Sequence, residues 1–170
     1  MPRLYLAGPT VFMPNARERG EKLKAICAKH GCEGLFPLDH GFALPEDGQI
    51  AMRMIFASCG QMLRRADAVI ADLSPFRGPH CDDGTAVEIG MAIERGIPVF
   101  GYSSDLRPLV ERIPFTWDEH GARRDESGAE VEDFGQPFNL MIAGAVRSVF
   151  ATPNEAIAAA ADEMRRRPPA

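Results

Sequence analysis

The stretch DDGTAVEIG, Asp82 to Gly90, places Glu88 about one turn into a helix that opens on two aspartates and a glycine and is otherwise small and apolar. On such a helix Glu88 shares a face with Thr85, Ala92 and, less squarely, Gly84 and Met91, because residues three and four apart are neighbours. That face is mostly small, so a ligand as well as another helix can approach the carboxylate. Burial there without hydrogen-bonding partners is costly. An exposed helical glutamate, or one paired with an arginine, is the structural reading. The functional reading gains from the setting, since the orphan N–H groups of a helix start favour anions or oxygen-rich ligands. Asp72, which ends the run ADAVIADLS, is similarly double: a strand-end or turn cap, or a carboxylate at an active rim, placed to transfer a proton or hold a hydroxyl. Asp83 suits an ordinary N-cap, with Asp82 close to the helix mouth. Several carboxylates near one strand rim are the raw material of glycosyl transfer.

The elements that must carry these side chains alternate. RLYLAG is a short apolar run stopped by Gly8-Pro9, which reads as a buried strand and a loop. From Ala16 to His30, Leu23, Ile26 and Cys27 share one face among charged neighbours, which is a helix pattern, and Gly31 ends it. A strand follows at Glu33 to Phe36, and then a loop from Pro37 to Gly48 that either lies over a pocket or packs down. A helix spans about Gln49 to Arg64. Ala66 to Ser74 is the clearest strand, with Val69 and Ile70 as its β-branched centre. After the helix from Thr85 to about Arg95, Gly96 is the stop and IPVFGY begins another strand.

Beyond Tyr102 the pattern predicts a short helix around Asp105 to Arg112 and a long surface loop from Pro114 to Asp133 that Trp117 pins. A short helix in FGQPFNLMIAGAV and a strand at Arg147 to Phe150 come next. In the last helix Thr152 is the cap, Pro153 the first residue and Glu155 the third member of a capping box, with an alanine-rich body reaching Arg167. This βα alternation with short connections predicts a parallel sheet covered by helices, and such sheets bind ligands outside the carboxyl ends of their strands. Asp72 and DDGTAVEIG therefore point to the same rim.

Composition narrows the function classes. At 170 residues and 45% hydrophobic content the chain is expected to form one domain, residues 1–170, with a core that needs no metal or disulfide staples. The 24 acidic against 19 basic residues, without a long basic block, disfavour nucleic acid as a partner. The terminal Arg165-Arg166-Arg167 run reads as a solvated helix end. Cys27, Cys32, Cys59 and Cys81 form no CxxC pair and read as reduced thiols. No export segment and no long apolar run is visible, so no membrane association and a cytoplasmic location are expected. His80, Cys81, Asp82 and Asp83 are contiguous, but adjacent side chains rarely converge on one ion, and HExxH and repeated cysteine spacings are absent. GxxxxGKS/T, GxGxxG and GxSxG are absent as well. Neither a metal nor a cofactor is expected.

Four blocks, in order, carry a family resemblance: YLAGP at Tyr5 to Pro9, ADAVIADLSPFRG at Ala66 to Gly78, DDGTAVEIG, and FGQPFNLM at Phe134 to Met141. Together they resemble the nucleoside 2-deoxyribosyltransferases, most closely the branch with ADLSPFRG and PFNLM blocks. The resemblance implies an α/β, flavodoxin-like three-layer sandwich with a central parallel sheet of about five strands. It also implies transfer of 2-deoxyribose between purine or pyrimidine bases, with side hydrolysis when water intervenes. Glu88 would be the nucleophile, Tyr5 would orient it, and Asp72 would contact the base and supply or relay a proton. Asp82 would accept a hydrogen bond from the sugar 5′-hydroxyl, and Gly8 would let the ligand approach the backbone. Asn139, with Met141 nearby, would reach the sugar from a neighbouring subunit, so a homo-oligomer built from dimers with shared active sites is expected. Phe12 or Phe42 would either stack on the base or pack as a hydrophobe, and Trp117 is equally open.

Three rivals accompany this reading. A 2-deoxynucleoside 5-monophosphate N-glycosidase has a similar fold and glutamate, but Asp82 would repel a phosphate, although Arg77 and His80 offer positive charge nearby. Gly84-Thr85 followed by Glu88 also resembles the end of the GGxGTxxE signature of phosphoribohydrolases acting on modified adenosine monophosphates, with the glycine-rich cradle incomplete here. A non-catalytic nucleotide-binding module would bind without turnover.

Overall fold

The computed structural model describes residues 1–166. In chain order the strands are β1 (Arg3–Ala7), β2 (Glu33–Leu35), β3 (Ala68–Asp72), β4 (Val99–Tyr102), β5 (Thr116–Trp117), β6 (Arg123–Arg124) and β7 (Ser148–Phe150). The α-helices are α1 (Ala16–Lys29), α2 (Gly48–Arg64), α3 (Asp83–Glu94), α4 (Leu140–Ala145) and α5 (Pro153–Arg166). Five strands form one sheet in the order β2-β1-β3-β4-β7, every pairing parallel. This is the expected flavodoxin-like order, with helices on both faces.

Strand alternation sorts the side chains of β1 between two cores. Leu4 and Leu6 join Ile70, Phe100 and the α1 and α5 residues Cys27, Ala156, Ile157 and Ala160 on one face. Tyr5 and Ala7 join Val69, Ala71, Val99 and, from α2 and α3, Leu63, Ile89 and Ala92 on the other. A two-residue period thus sends Tyr5, 0% exposed, toward the helix that carries Glu88. Sheets covered on both faces read as continuous apolar runs, and the burial of all but the last residue of β3 follows that rule.

Local chemistry ends the elements where expected. Gly31 and Gly96 stop α1 and α3 at φ of 74° and 69°. In the capping box of α5, the Glu155 N–H donates to Thr152 Oγ1 at 3.3 Å and the Thr152 N–H to Glu155 Oε2 at 3.0 Å. Arg167, where the sequence pattern ends that helix, lies outside the described residues. No helix among the described residues is long and apolar enough to cross a membrane.

Two expectations are corrected. The segment from Asp105 to Arg112 is a turn followed by a 3-10 helix of three residues, Leu109–Glu111, because Asp105 accepts from the Arg107 backbone and side chain and Pro108 precedes the turn. The stretch from Pro114 to Asp133 contains a small antiparallel hairpin, with Thr116 opposite Arg124 and Trp117 opposite Arg123. Trp117 is 61% exposed; Arg123 lies over its ring at 4.9 Å and Arg124 pairs with Asp118 at 2.8 Å.

The switch point lies between β1 and β3, whose chains leave toward opposite edges of the sheet. Gly8 follows β1 with φ 153° and ψ 168°. A Cβ added there would lie 2.7 Å from the Asp72 Cβ. Both the dihedral and the contact require glycine. Gly8→Ala is therefore expected to lower stability by roughly 2–4 kcal/mol through backbone strain and overpacking. Urea unfolding measures this, and a change below about 0.5 kcal/mol, the range of ordinary surface substitutions, would remove the constraint.

Candidate active site

Glu88 is held from the sheet. The Tyr5 hydroxyl donates to Glu88 Oε1 at 2.5 Å, linking the middle of β1 to the middle of α3. Tyr5 is a large aromatic anchored in the core, so it presents its hydroxyl from a fixed position. Burial raises the Tyr5 pKa, the Glu88 charge and Cys59, on α2, add to the rise, and Tyr5 accordingly remains a neutral donor. Burial pushes Glu88 up to about 7; the hydrogen bond from Tyr5 opposes that rise and the nearby Asp82 charge adds to it. A carboxyl group poised near neutrality inside a cleft suits proton transfer or nucleophilic attack.

The cleft itself lies between α2 and α3 and has a volume of about 580 Å³. Phe56, Cys59, Leu63, Val87 and Met91 are among the side chains around Glu88, so its walls are mainly apolar. An apolar cavity of this size with a small number of polar groups is the usual form of a small-molecule site.

Asp82, rather than the expected Asp83, is the N-cap of α3. Its Oδ2 accepts from the Thr85 N–H at 3.0 Å and the Thr85 hydroxyl at 3.3 Å, and Asp83 is the first helical residue. Helix register decides between the two aspartates: a cap side chain reaches the N–H three residues on, and Thr85 is fully buried beneath Asp82. Both cap bonds use one oxygen, so Oδ1 is not committed to the cap.

Asp72 sits at the switch point beside Gly8. Its Oδ1 accepts from the Ser74 N–H at 3.0 Å. Tyr102 is its register partner on β4, and burial followed by the Asp72 charge raises the Tyr102 pKa. Phe12 is 55% exposed. Its ring stacks on Phe76 at 5.5 Å, and the Arg77 guanidinium lies 5.3 Å from the Phe12 centroid and 4.8 Å from that of Phe76. Phe42 stacks on His40 at 4.4 Å within its own loop. Trp117 belongs to a separate pocket beside the hairpin.

Asn139 and Met141 are not brought to Glu88 within one protomer. Asn139 caps α4, accepting from the Met141 N–H at 3.0 Å, and Met141 is 72% exposed. With Asp83, Ile89, Ile93 and Phe138 they line a groove of about 530 Å³ between α3 and α4. α3 thus divides two cavities: Val87, Glu88 and Met91 face one, and Ala86, Ile89 and Ile93 face the other.

Cys59 and Tyr102 were not identified from the sequence as members of the site. Tyr102 had a usable signal, since it ends the strand after the one ending in Asp72. Cys59 had none, because its relation to Tyr5 depends on how α2 packs. The four cysteines are all free. Among the described residues no group of three or more His, Cys, Asp or Glu side chains is arranged to hold a metal ion.

The chain is similar to known proteins in sequence and in fold. The family model described as nucleoside 2-deoxyribosyltransferase matches residues 4–141. A solved 2-desoxiribosyltransferase from Leishmania mexicana is 34% identical with a TM-score of 0.77, covering 95% of this chain and 98% of that one. A 2-deoxyribosyltransferase from Bacillus psychrosaccharolyticus, at 19% identity and a TM-score of 0.59 over 91% of this chain and 90% of that one, shares the fold. An uncharacterized protein from Schizosaccharomyces pombe is 33% identical over 164 residues, 86% of this chain and 78% of the relative.

The raised Glu88 pKa has a signature in stability. Below about pH 4.5 the carboxyl is protonated in both folded and unfolded chains; as pH rises toward 7 the unfolded chain gives up its proton first, and folding loses free energy. Glu88→Gln removes this titration. The variant is expected to match the wild type near pH 4 and to exceed its stability by up to about 3 kcal/mol at pH 8, as read by denaturant unfolding across pH. An equal difference at both pH values would contradict the raised pKa.

Proposed function

The chain belongs to the nucleoside 2-deoxyribosyltransferase family and is an enzyme of that family, and we propose that it transfers 2-deoxyribose between nucleobases by retaining double displacement through Glu88. The observation that carries the proposal is the Tyr5–Glu88 pair in an apolar cleft, with the carboxyl poised near neutral pH. Tyr5 occupies Oε1 of Glu88 and so leaves the other oxygen to attack the anomeric carbon. As the C1′–O bond forms, the C1′–N bond breaks and the departing base takes up a proton, supplied or relayed by Asp72. Positive charge grows on the sugar in this step, and the carboxylate stabilises it before capturing it as a deoxyribosyl ester. An incoming base then attacks the anomeric carbon with its ring nitrogen, its N–H proton passes back along the Asp72 route that protonated the first base, and Glu88 departs as a carboxylate. Two inversions give net retention. Water in place of the second base yields free deoxyribose.

The remaining roles follow the sugar and base outward. Oδ1 of Asp82 accepts from the 5′-hydroxyl, a position at which a phosphate would be repelled. Gly8 admits the substrate against the backbone, and Phe12 offers an exposed ring to the base. Asn139 and Met141 complete the site of a neighbouring subunit, a reading supported by their position across α3 from their own Glu88. On this account residues 1–170 act as one catalytic domain within a homo-oligomer of dimers, and 2-deoxynucleosides and free bases are its ligands.

Incubation with deoxyinosine or thymidine, with and without adenine, is expected to form deoxyadenosine only when adenine is present. Hydrolysis unchanged by the acceptor would reject transfer as the main activity, and strong preference for 5′-monophosphates would reject the role of Asp82. Glu88→Ala is expected to abolish the covalent sugar adduct seen by intact-protein mass spectrometry while the fold is retained; an adduct that persists removes Glu88 as the nucleophile.

Tyr5→Phe supplies an independent check. Its hydroxyl lowers the Glu88 pKa against burial, so the substitution is expected to move the acidic limb of the kcat/KM profile from near pH 7 to higher pH. A loss of activity without that displacement would mean that Tyr5 does not act on Glu88.

A further inference from the structure

Arg112 follows the 3-10 turn Leu109–Glu111 and reaches two loops at once. Its Nη1 donates to the Pro79 carbonyl at 3.0 Å, and its Nη2 donates to the Pro137 carbonyl. Pro79 precedes Asp82, the cap of α3, and Pro137 precedes Asn139, the cap of α4. The turn is also tied to the second loop by its backbone, since the Leu109 N–H donates to the Gln136 carbonyl at 2.8 Å. Leu109 is buried and anchors the turn.

This arrangement is costly if packing is its only purpose. The guanidinium hydrogen-bonds two neutral carbonyls, the Asp105 charge acts on it without a direct ion pair, and its Nε is buried without a hydrogen-bond partner. A half-buried guanidinium with one unpaired N–H gives up hydration that two carbonyl contacts only partly replace. What the guanidinium provides and an apolar residue does not is a planar fork that holds two acceptors at a fixed separation. The acceptors here belong to the loops that deliver the two capping side chains.

We infer that Arg112 is a positioning residue for the 5′ end of the sugar, setting the separation between the mouth of α3, which bears Asp82, and the mouth of α4, which bears Asn139. The inference rests on the roles proposed for those two residues. Because Asn139 serves the neighbouring subunit under that reading, the same strut joins the Asp82 of one site to the Asn139 that completes the other. Arg112 touches no substrate itself; it acts through the loops it holds.

The test compares deoxyinosine with its 5′-deoxy analogue as sugar donors, using the wild type, Asp82→Asn, Arg112→Met and Arg112→Lys. Asp82→Asn and Arg112→Met are both expected to lower the ratio of kcat/KM for the 5′-hydroxyl donor over the 5′-deoxy donor by about tenfold, the lower end of the scale for losing a hydrogen bond to a charged group. Arg112→Lys, whose single ammonium cannot span both carbonyls as a fork, is expected to fall between. If Asp82→Asn lowers the ratio and folded Arg112→Met does not, the assignment of Arg112 is overturned while that of Asp82 stands. If Asp82→Asn leaves the ratio unchanged, the 5′-end reading fails and the Arg112 inference fails with it. Should Arg112→Met not fold, an unchanged ratio in Arg112→Lys overturns the inference. A fall in melting temperature with equal loss on both donors marks a purely structural residue and also overturns it.

Discussion

The arrangement depends on a carboxyl group held in an apolar cleft by a neutral donor. A guanidinium or ammonium beside Glu88 would have offset its burial and held its pKa low. The hydrogen bond from Tyr5 offsets only part of that cost, and the carboxyl remains near neutrality. This solution requires an immobile phenol. Tyr5 is immobile because β1 lies between β2 and β3 and the ring is enclosed by residues of the sheet, α2 and α3. The parallel sheet is thus the frame that keeps a weak partner in place.

The N-terminus of α3 adds a second electrostatic constraint. Asp82 satisfies the Thr85 N–H and places negative charge where the helix dipole favours it. The same charge adds to the rise in the Glu88 pKa. One residue therefore stabilises the helix and tunes the carboxylate a turn further along. Arg112 extends the coupling, because its fork holds the loop leading to this helix mouth against the loop leading to α4.

Features set by near neighbours in sequence were the legible ones. Alternation in β1, the glycine stops after α1 and α3 and the Thr152–Glu155 box all depend on residues within a few positions. The choice between Asp82 and Asp83 as cap was less legible, because two adjacent aspartates carry the same propensity and helix register decides between them. The hairpin at Thr116 to Arg124 was missed because each strand has only two residues, too few for alternation, and its order comes from arginines packed on rings and carboxylates. At the candidate site, DDGTAVEIG marked Glu88 as a candidate, but its contact with Tyr5 joins residues 83 apart in sequence. Family motifs, rather than spacing, brought Tyr5 forward. Nothing local marked Cys59 or the reach of Arg112.

A neutral donor has a further consequence for the proposed double displacement. The same carboxylate must attack in the first half and leave in the second, so a feature that aids one step can oppose the other. A raised pKa makes Glu88 a better nucleophile and its ester a poorer source of leaving group. A hydrogen bond from Tyr5 eases departure by stabilising the returning carboxylate, while its neutrality avoids the strong stabilisation a cation would give the resting ion. Moderate stabilisation in both directions suits a reaction whose two halves are chemically alike and in which either base can serve as leaving group or attacker. Hydrolysis competes only at the ester stage, where water access sets its rate. The apolar walls of the cleft between α2 and α3 oppose that access, and a neighbouring subunit bringing Asn139 and Met141 to the sugar would reduce it further.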